Sequence, residues 1–459
     1  MLPKVETLLL QNGMRVLLLP RHSLPVVATV LWYEVGARDE LSGETGVSHF
    51  LEHMMFKGTD RYAKGQIDLL TSKMGGSNNA FTDNDGTAYF FAMASDRWEP
   101  ALEIEASRMR SCLLDPTEFT SEKSVVLEEL AMGEDEPWRP LYQATESLLF
   151  QVHPYHHPVI GWKQDLERLT VAGMRAYYDR NYGPNRAFLV IAGDIDVERT
   201  KQRVTELFGS IPASAEARRE VLAEPPMQGE RRAVLNTPHS VKRMCIGFRG
   251  TRNGERDDYA LDVLCHHLGL GKNSLLYKRL VVEEELVTNL SVMNEARLDP
   301  GAVFLLFELR DGADPEVVER MACEEVRRLV EKGVDKKDLA RIREQIRAAF
   351  LFEDETVLDT ALKVARFESM KPGGWQALEH VVPTITSLDN KELVEVAARH
   401  FDLDRKCVVW SVPAPTPAPA KARKPKAGKK QKPVPVGSRI SKSAKGAART
   451  ARRARKGEK

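Results

Sequence analysis

Residues 46–59 read GVSHFLEHMMFKGT, from Gly46 to Thr59. Over Thr45–Phe56 the apolar residues Val47, Phe50, Leu51 and Met54 recur at helical spacing. On such a helix His49 and His53 stand at i and i+4, so both imidazoles leave the same face. Two imidazoles so placed suit one tetrahedral zinc ion at roughly 2.0–2.1 Å. Glu52, at i+3 from His49, shares their side of the helix without being a necessary ligand. The order H-x-x-E-H is the inverted form of the commoner zinc-protease motif. Because the motif lies among apolar residues, its histidines are expected to face a partly buried site rather than open solvent.

A zinc ion held by two histidines needs a third protein ligand and an open position for water. An acid on another helix is the natural donor. Asp115-Pro116-Thr117-Glu118 is a helix start, with an acidic N-cap, proline at N1 and an acid at N3. The helix it opens is predicted to carry Glu122 through Met132 and to end before Pro137. Glu122 and Glu129 are two turns apart on one face of it, and Glu128 points about 100° away from Glu129. Spacing alone leaves the choice between Glu128 and Glu129 open.

Outward from these helices the chain alternates irregularly between strands and helices, which indicates an α+β fold. Asn12-Gly13 between the apolar runs Glu6–Gln11 and Met14–Leu19 predicts a hairpin with a type I′ turn. Strands are expected at Val26–Val35, Ala88–Ala92 and Ala187–Asp194. After a Pro-, Ala- and Glu-rich linker at 213–231, strands within Arg232–Gly250 and helices at Tyr259–Leu268, Leu275–Glu285, Pro315–Lys332 and Lys337–Leu351 repeat the element content of the first half. The reading is two homologous α+β domains in tandem, 1–212 and 232–412.

The chain has 459 residues and a formal net charge of +1. That figure hides an asymmetry. From Pro413 to Lys459 there are 16 Lys or Arg and one acid, a charge of +15, which leaves −14 for the rest. The 413–459 tail has no aromatic residue and too few apolar ones to bury a core, so it is expected to be disordered. Its charge makes nucleic acid or another acidic surface a candidate partner. Five cysteines, with no CxxC among them, argue against a disulfide framework and for a reducing compartment. With no charged n-region before an unbroken apolar core, and no run of about 18 apolar residues, the default expectation is a cytoplasmic protein without a transmembrane segment.

Five stretches together resemble the pitrilysin or insulinase-like zinc peptidases, closest to the processing-peptidase-like bacterial subfamily. They are Gly46–Thr59, Gly76–Tyr89 (GSNNAFTDNDGTAY), Ser121–Glu129 (SEKSVVLEE), His153–Gly161 (HPYHHPVIG) and Gly193-Asp194. The resemblance implies one Zn²⁺ per chain on His49, His53 and Glu129, with Glu122 supporting a ligand by hydrogen bonding. It implies Glu52 as general base of a metalloendopeptidase, and Asn79-Ala80-Phe81 as the edge strand on which an extended peptide substrate pairs. It implies that the two domains form half of a clamshell. The family's second half also carries an Arg and a Tyr that reach the active site. Aligning on Leu276–Leu280 puts Val281 and Thr288 at those places, so the pair is missing. The expectation is the zinc-bearing subunit of a heterodimer whose homologous partner supplies the pair, or else a homodimer. Processing of one specific precursor, and a tail-tethered binding protein using the fold as scaffold, are the alternatives. His153, His156 and His157 form a further cluster, but Pro154 and Pro158 break any helix there, and His266-His267 point apart.

Overall fold

Among the described residues, eleven strands form two sheets. The first contains β1 (Glu6–Leu9), β2 (Arg15–Pro20), β3 (Val26–Tyr33), β4 (Ser77–Thr82), β5 (Thr87–Ala94) and β6 (Ala187–Gly193) in the order β1-β2-β6-β3-β5-β4. The second contains β7 (Arg231–Thr237), β8 (Arg243–Arg249), β9 (Val287–Glu295), β10 (Ala302–Leu309) and β11 (Cys407–Pro413) in the order β7-β11-β8-β10-β9. This computed structural model describes residues 4–215, 220–352, 354–370 and 373–414. The expected tail therefore lies outside the described residues from 415 onward. Pro413 closes β11, and the Ala414 amide donates to Thr237 O at 2.8 Å.

The duplication is visible in the strand order. Apart from β1, each strand of the first sheet has a counterpart in the second with the same neighbours. β2 and β7 run parallel to β6 and β11, and every other pairing in these five-strand sets is antiparallel. The registers correspond too. Tyr33 pairs with Thr87 and Thr87 with Thr82, as Phe248 pairs with Val303 and Val303 with Asn294. Tyr33 and Phe248 both point into the helix-covered core of their half.

Helices cover one face of each sheet. Phe50, Leu51, Ile104, Val126 and Tyr177 close over Tyr33, Tyr89 and Phe91 in the first half. Leu261, Leu264, Leu268, Val326 and Val396 do the same over Phe248, Leu305 and Val408 in the second. The opposite faces are covered by exchange. The helix Val357–Met370, from the second half, lays Val357, Ala361, Val364 and Ala365 on Val30, Trp32, Phe188 and Val190 of the first sheet. The helix Arg139–Leu149, from the first half, lays Leu141 and Leu149 on Cys245, Phe304 and Val409 of the second. Gly247 admits this helix, since a Cβ there would stand 2.6 Å from Thr145 Cγ2. β6 ends at Gly193 and β7 begins at Arg231, so the sheets are separate along the chain while the helices on their backs are exchanged.

A polar seam accompanies the exchange. Asp85, in the β4–β5 turn, accepts from the Tyr155 hydroxyl at 2.6 Å and the Leu298 amide at 2.9 Å. Asp299 meets Arg38 at 2.6 Å and His153 Nε2 at 3.0 Å. Arg297 pairs with Glu146 and, at 3.0 Å, with Glu295. His153 Nδ1 accepts the Tyr155 amide at 3.2 Å, capping the Pro154–His156 turn, so both its nitrogens have partners.

Local readings differ from the structure in two places. Of Asn12-Gly13 only Gly13 is left-handed, at φ 88°. The Leu10 amide donates to Met14 O and the Gly13 amide to Leu10 O, which widens the turn by one residue. Asn12 Nδ2 is committed instead to Phe208 O at 2.8 Å and Ile211 O at 3.0 Å. The helix expected over Leu275–Glu285 is a short wide one at Tyr277–Glu283, where the Glu284 amide reaches back to Arg279 O. The helix opened at Asp115 is as expected: it runs Pro116–Glu134, with Asp115 Oδ1 accepting the Thr117 and Glu118 amides, and ends before Pro137. All five cysteines are free thiols. No helix among the described residues is long and apolar enough to cross a membrane.

Candidate metal centre

The helix Val47–Met54 starts without a side-chain cap from Gly46. Its first amides are satisfied from a distance. The buried Glu40 carboxyl accepts the Gly46 amide at 2.7 Å and the Ser48 amide at 2.8 Å. Burial raises the Glu40 carboxyl to about 8, and the Ser48 and Gly46 amides oppose that rise. Gly46 has φ 87°, and a Cβ on it would stand 2.3 Å from Ile160 O. Only glycine fits that crossing. Val47, Phe50, Leu51 and Met54 face the core, which turns His49, Glu52 and His53 the other way into a partly buried cleft.

The two imidazole rings lie 4.8 Å apart at 64°. Glu129 comes from helix Pro116–Glu134 and spans both. Its Oε1 is 3.7 Å from His49 Nε2 and its Oε2 is 3.5 Å from His53 Nε2. Glu128 is exposed to solvent. Ligand atoms of His49, His53 and Glu129 all fall within 4.8 Å of one another, the single such group among the described residues. Two ligands of a tetrahedral zinc ion at about 2.0–2.1 Å are roughly 3.3 Å apart. The donor set and its spacing therefore fit zinc.

The surroundings set the imidazoles for this role. His53 Nδ1 is 3.0 Å from Glu122 Oε1, which leaves Nε2 facing Glu129 as the lone-pair nitrogen. Lys57 Nζ holds the other Glu122 oxygen at 2.6 Å. Burial works against charge on Glu122, but Lys57 and His53 outweigh it and the carboxyl sits below its usual range. Burial, the neighbouring His53 and the charge of Arg139 push His49 down to about 4, so its ring is neutral near pH 7. Its Nδ1 is buried without a hydrogen-bond partner. Burial raises the Glu52 carboxyl, and a hydrogen bond from Thr82 Oγ1 to Oε2, 2.6 Å, restrains the rise.

Thr82 ends β4, the edge strand of the first sheet. Asn79 is exposed, and its Oδ1 accepts the Ala80 amide at 2.9 Å. Ala80 and Thr82 face the histidine helix. Phe81 faces away and packs on Trp32 at 5.5 Å, so Phe81 offers the cleft its backbone rather than its ring. Lys57 and Thr82 were not singled out from the sequence. Strand alternation from Ala80 was the available signal for Thr82. Val281 lies on the wide helix Tyr277–Glu283. Thr288 lies on β9 with its hydroxyl donating to Glu308 Oε1 at 3.0 Å. Neither offers a guanidinium or a phenol.

The sequence profile described as Insulinase (Peptidase family M16) matches residues 15–162, and that described as Peptidase M16 inactive domain matches 168–346. The chain belongs to the M16 peptidase family. Among its M16 relatives, the zinc protease PqqE of Helicobacter pylori is 28% identical over 90% of this chain and 94% of that protein. The uncharacterized zinc protease YmxG of Bacillus subtilis is 25% identical over 86% and 95%. A solved structure of a protease from Helicobacter pylori superposes with a TM-score of 0.86, at 26% identity, over 90% of this chain and all of that one. The chain is thus an M16 homologue of zinc proteases with a candidate zinc site in its first half. The histidine motif and Glu129 both fall in the segment matched by the Insulinase profile.

Proposed function

We propose that this chain is a zinc endopeptidase acting on peptides or extended, unfolded segments. The observation that carries the reading is the convergence of His49, His53 and Glu129 from two helices, with Glu52 beside them on the histidine helix. Zinc held there supplies Lewis-acid polarisation of the scissile carbonyl and lowers the pKa of a water toward about 7. Glu52 would take a proton from the attacking water and pass it to the leaving amine. Glu122 and Lys57 hold His53 in the tautomer that presents Nε2. The free edge of β4 at Asn79-Ala80-Phe81 accepts an extended substrate as an added strand, which excludes folded segments.

The absence of an Arg/Tyr pair at Val281 and Thr288 supports a heterodimer in which a homologous subunit provides those donors; a homodimer is the alternative. The five free cysteines accord with a cytoplasmic setting. The test is zinc analysis together with cleavage of a quenched peptide library, for wild type and Glu52→Gln, with and without a homologous partner. Glu52→Gln is expected to keep zinc and lose about 10²–10⁴-fold in rate, the usual worth of a positioned acid–base group. A zinc-free wild type, or a variant as fast as wild type, refutes the assignment. Full activity of the chain alone refutes the heterodimer.

A further inference from the structure

We propose that Thr82 is a positioning residue for Glu52, so that the strand offered to the substrate also sets the orientation of the proton acceptor. This rests on the peptidase reading above. The Thr82 hydroxyl donates to Glu52 Oε2 at 2.6 Å, and this is the hydrogen bond that the Glu52 carboxylate accepts among the described residues. A bond to an ionised group is roughly twice as strong as a neutral one. With Oε2 held, Oε1 is the oxygen left to receive a proton.

The hydroxyl is itself well anchored. Threonine is stiff at χ1, and Thr82 pairs across the hairpin with Thr87, whose hydroxyl lies 3.5 Å away and donates to Val35 O at 2.9 Å. The turn between them is pinned from within and without. Asp83 accepts the Asp85 and Gly86 amides at 2.8 and 2.7 Å, and Asp85 is held by Tyr155 and Leu298. Position along β4 is therefore fixed by the seam between the two halves. A peptide paired on β4 and a carboxylate held by Thr82 share one rigid reference.

The second half repeats the device. Asn294 occupies the register position of Thr82, and its Nδ2 donates to Asp258 and Asp262 at 2.7 and 3.0 Å. Those acids lie on helix Arg256–Gly269, which follows β8 as the histidine helix follows β3. In both halves this strand position reaches across to carboxylates of the covering helix. Among the described residues, only the first half brings two imidazoles and a further acid together beside that carboxylate.

The experiment compares Thr82→Val, Thr82→Ser and Glu52→Gln in the zinc-loaded chain on a quenched peptide, with its partner if one is required. Valine keeps the shape and removes the hydroxyl; serine keeps the hydroxyl. Thr82→Val is expected to lower kcat about 10–100-fold, the scale set by small misplacements of reacting groups, with KM and zinc content unchanged. Thr82→Ser should recover most of the rate. In the metal-free protein, the unfolding-midpoint shifts of Thr82→Val and Glu52→Gln should be non-additive. Wild-type kcat in Thr82→Val, an equal loss in Thr82→Ser, a change confined to KM, or additive shifts would overturn the proposal. An inactive Glu52→Gln beside a fully active Thr82→Val sinks the role of Thr82 alone. A Glu52→Gln variant at the wild-type rate sinks the proton-acceptor assignment itself.

Discussion

Glu122→Gln isolates what the charge behind His53 contributes. The carboxylate is 6% exposed and uses both oxygens, one on His53 Nδ1 at 3.0 Å and one on Lys57 Nζ at 2.6 Å. Glutamine has the same shape but a single acceptor oxygen. If that oxygen keeps His53, the amide NH₂ faces the Lys57 ammonium, donor against donor. If it keeps Lys57, the NH₂ faces His53 Nδ1, which must then become the unprotonated nitrogen and leave Nε2 protonated toward Glu129. Either arrangement sacrifices one charge-assisted hydrogen bond, worth about 1.5–3 kcal/mol. Part of that loss falls on the zinc-competent form, so zinc affinity should drop about 10–100-fold, or roughly 1.4–2.7 kcal/mol. The assay is competition for zinc against a chelator of known affinity, with circular dichroism to show that the fold persists. A dissociation constant within about twofold of wild type, in a folded variant, would refute the reasoning. Lys57→Met should weaken zinc less, because Glu122 keeps its bond to His53.

Two further predictions concern the joined halves. A fragment ending at residue 212 loses helix Val357–Met370 and uncovers Val30, Trp32, Phe188 and Val190; it should bind a hydrophobic dye or aggregate, and a soluble fragment with native zinc affinity would refute the exchange as a stabilising feature. Asp299 is opposed by burial but held by His153 and Arg38 down to about 2. A depressed folded pKa stabilises above the ordinary aspartate value and is lost as pH falls through about 2. Asp299→Asn should therefore flatten the stability loss between about pH 4 and 2, checked by denaturant midpoints across that window.

Much of the candidate centre is legible because it is local. Five consecutive residues on one helix fix the relative directions of His49, Glu52 and His53, and the apolar residues between them decide which face is buried. The Asp115-Pro116 start is local in the same way. Glu129 was not separable from Glu128 by spacing; the resemblance named it, and the packing of helix Pro116–Glu134 brings it to both Nε2 atoms. The hairpin turn was misread because the Asn12 side chain answers to carbonyls at Phe208 and Ile211, about two hundred positions along the chain. The wide winding within Leu275–Glu285 was not legible because nothing in its periodicity marks a wide turn.

The sequence by itself determined the chemistry and the two-part plan: a histidine pair with an acid at helical spacing, α+β halves of like content, and a basic tail whose charge opposes that of the body. Tertiary structure decided what joins those parts. It set β4 at a sheet edge, aimed Thr82 at Glu52, brought Lys57 behind Glu122, and sent each half's helix to the back of the other's sheet. Helical and strand periodicities dictate which face of an element is apolar. They do not dictate which distant face will cover it. That choice belongs to burial summed over the whole chain, which no local window of sequence contains.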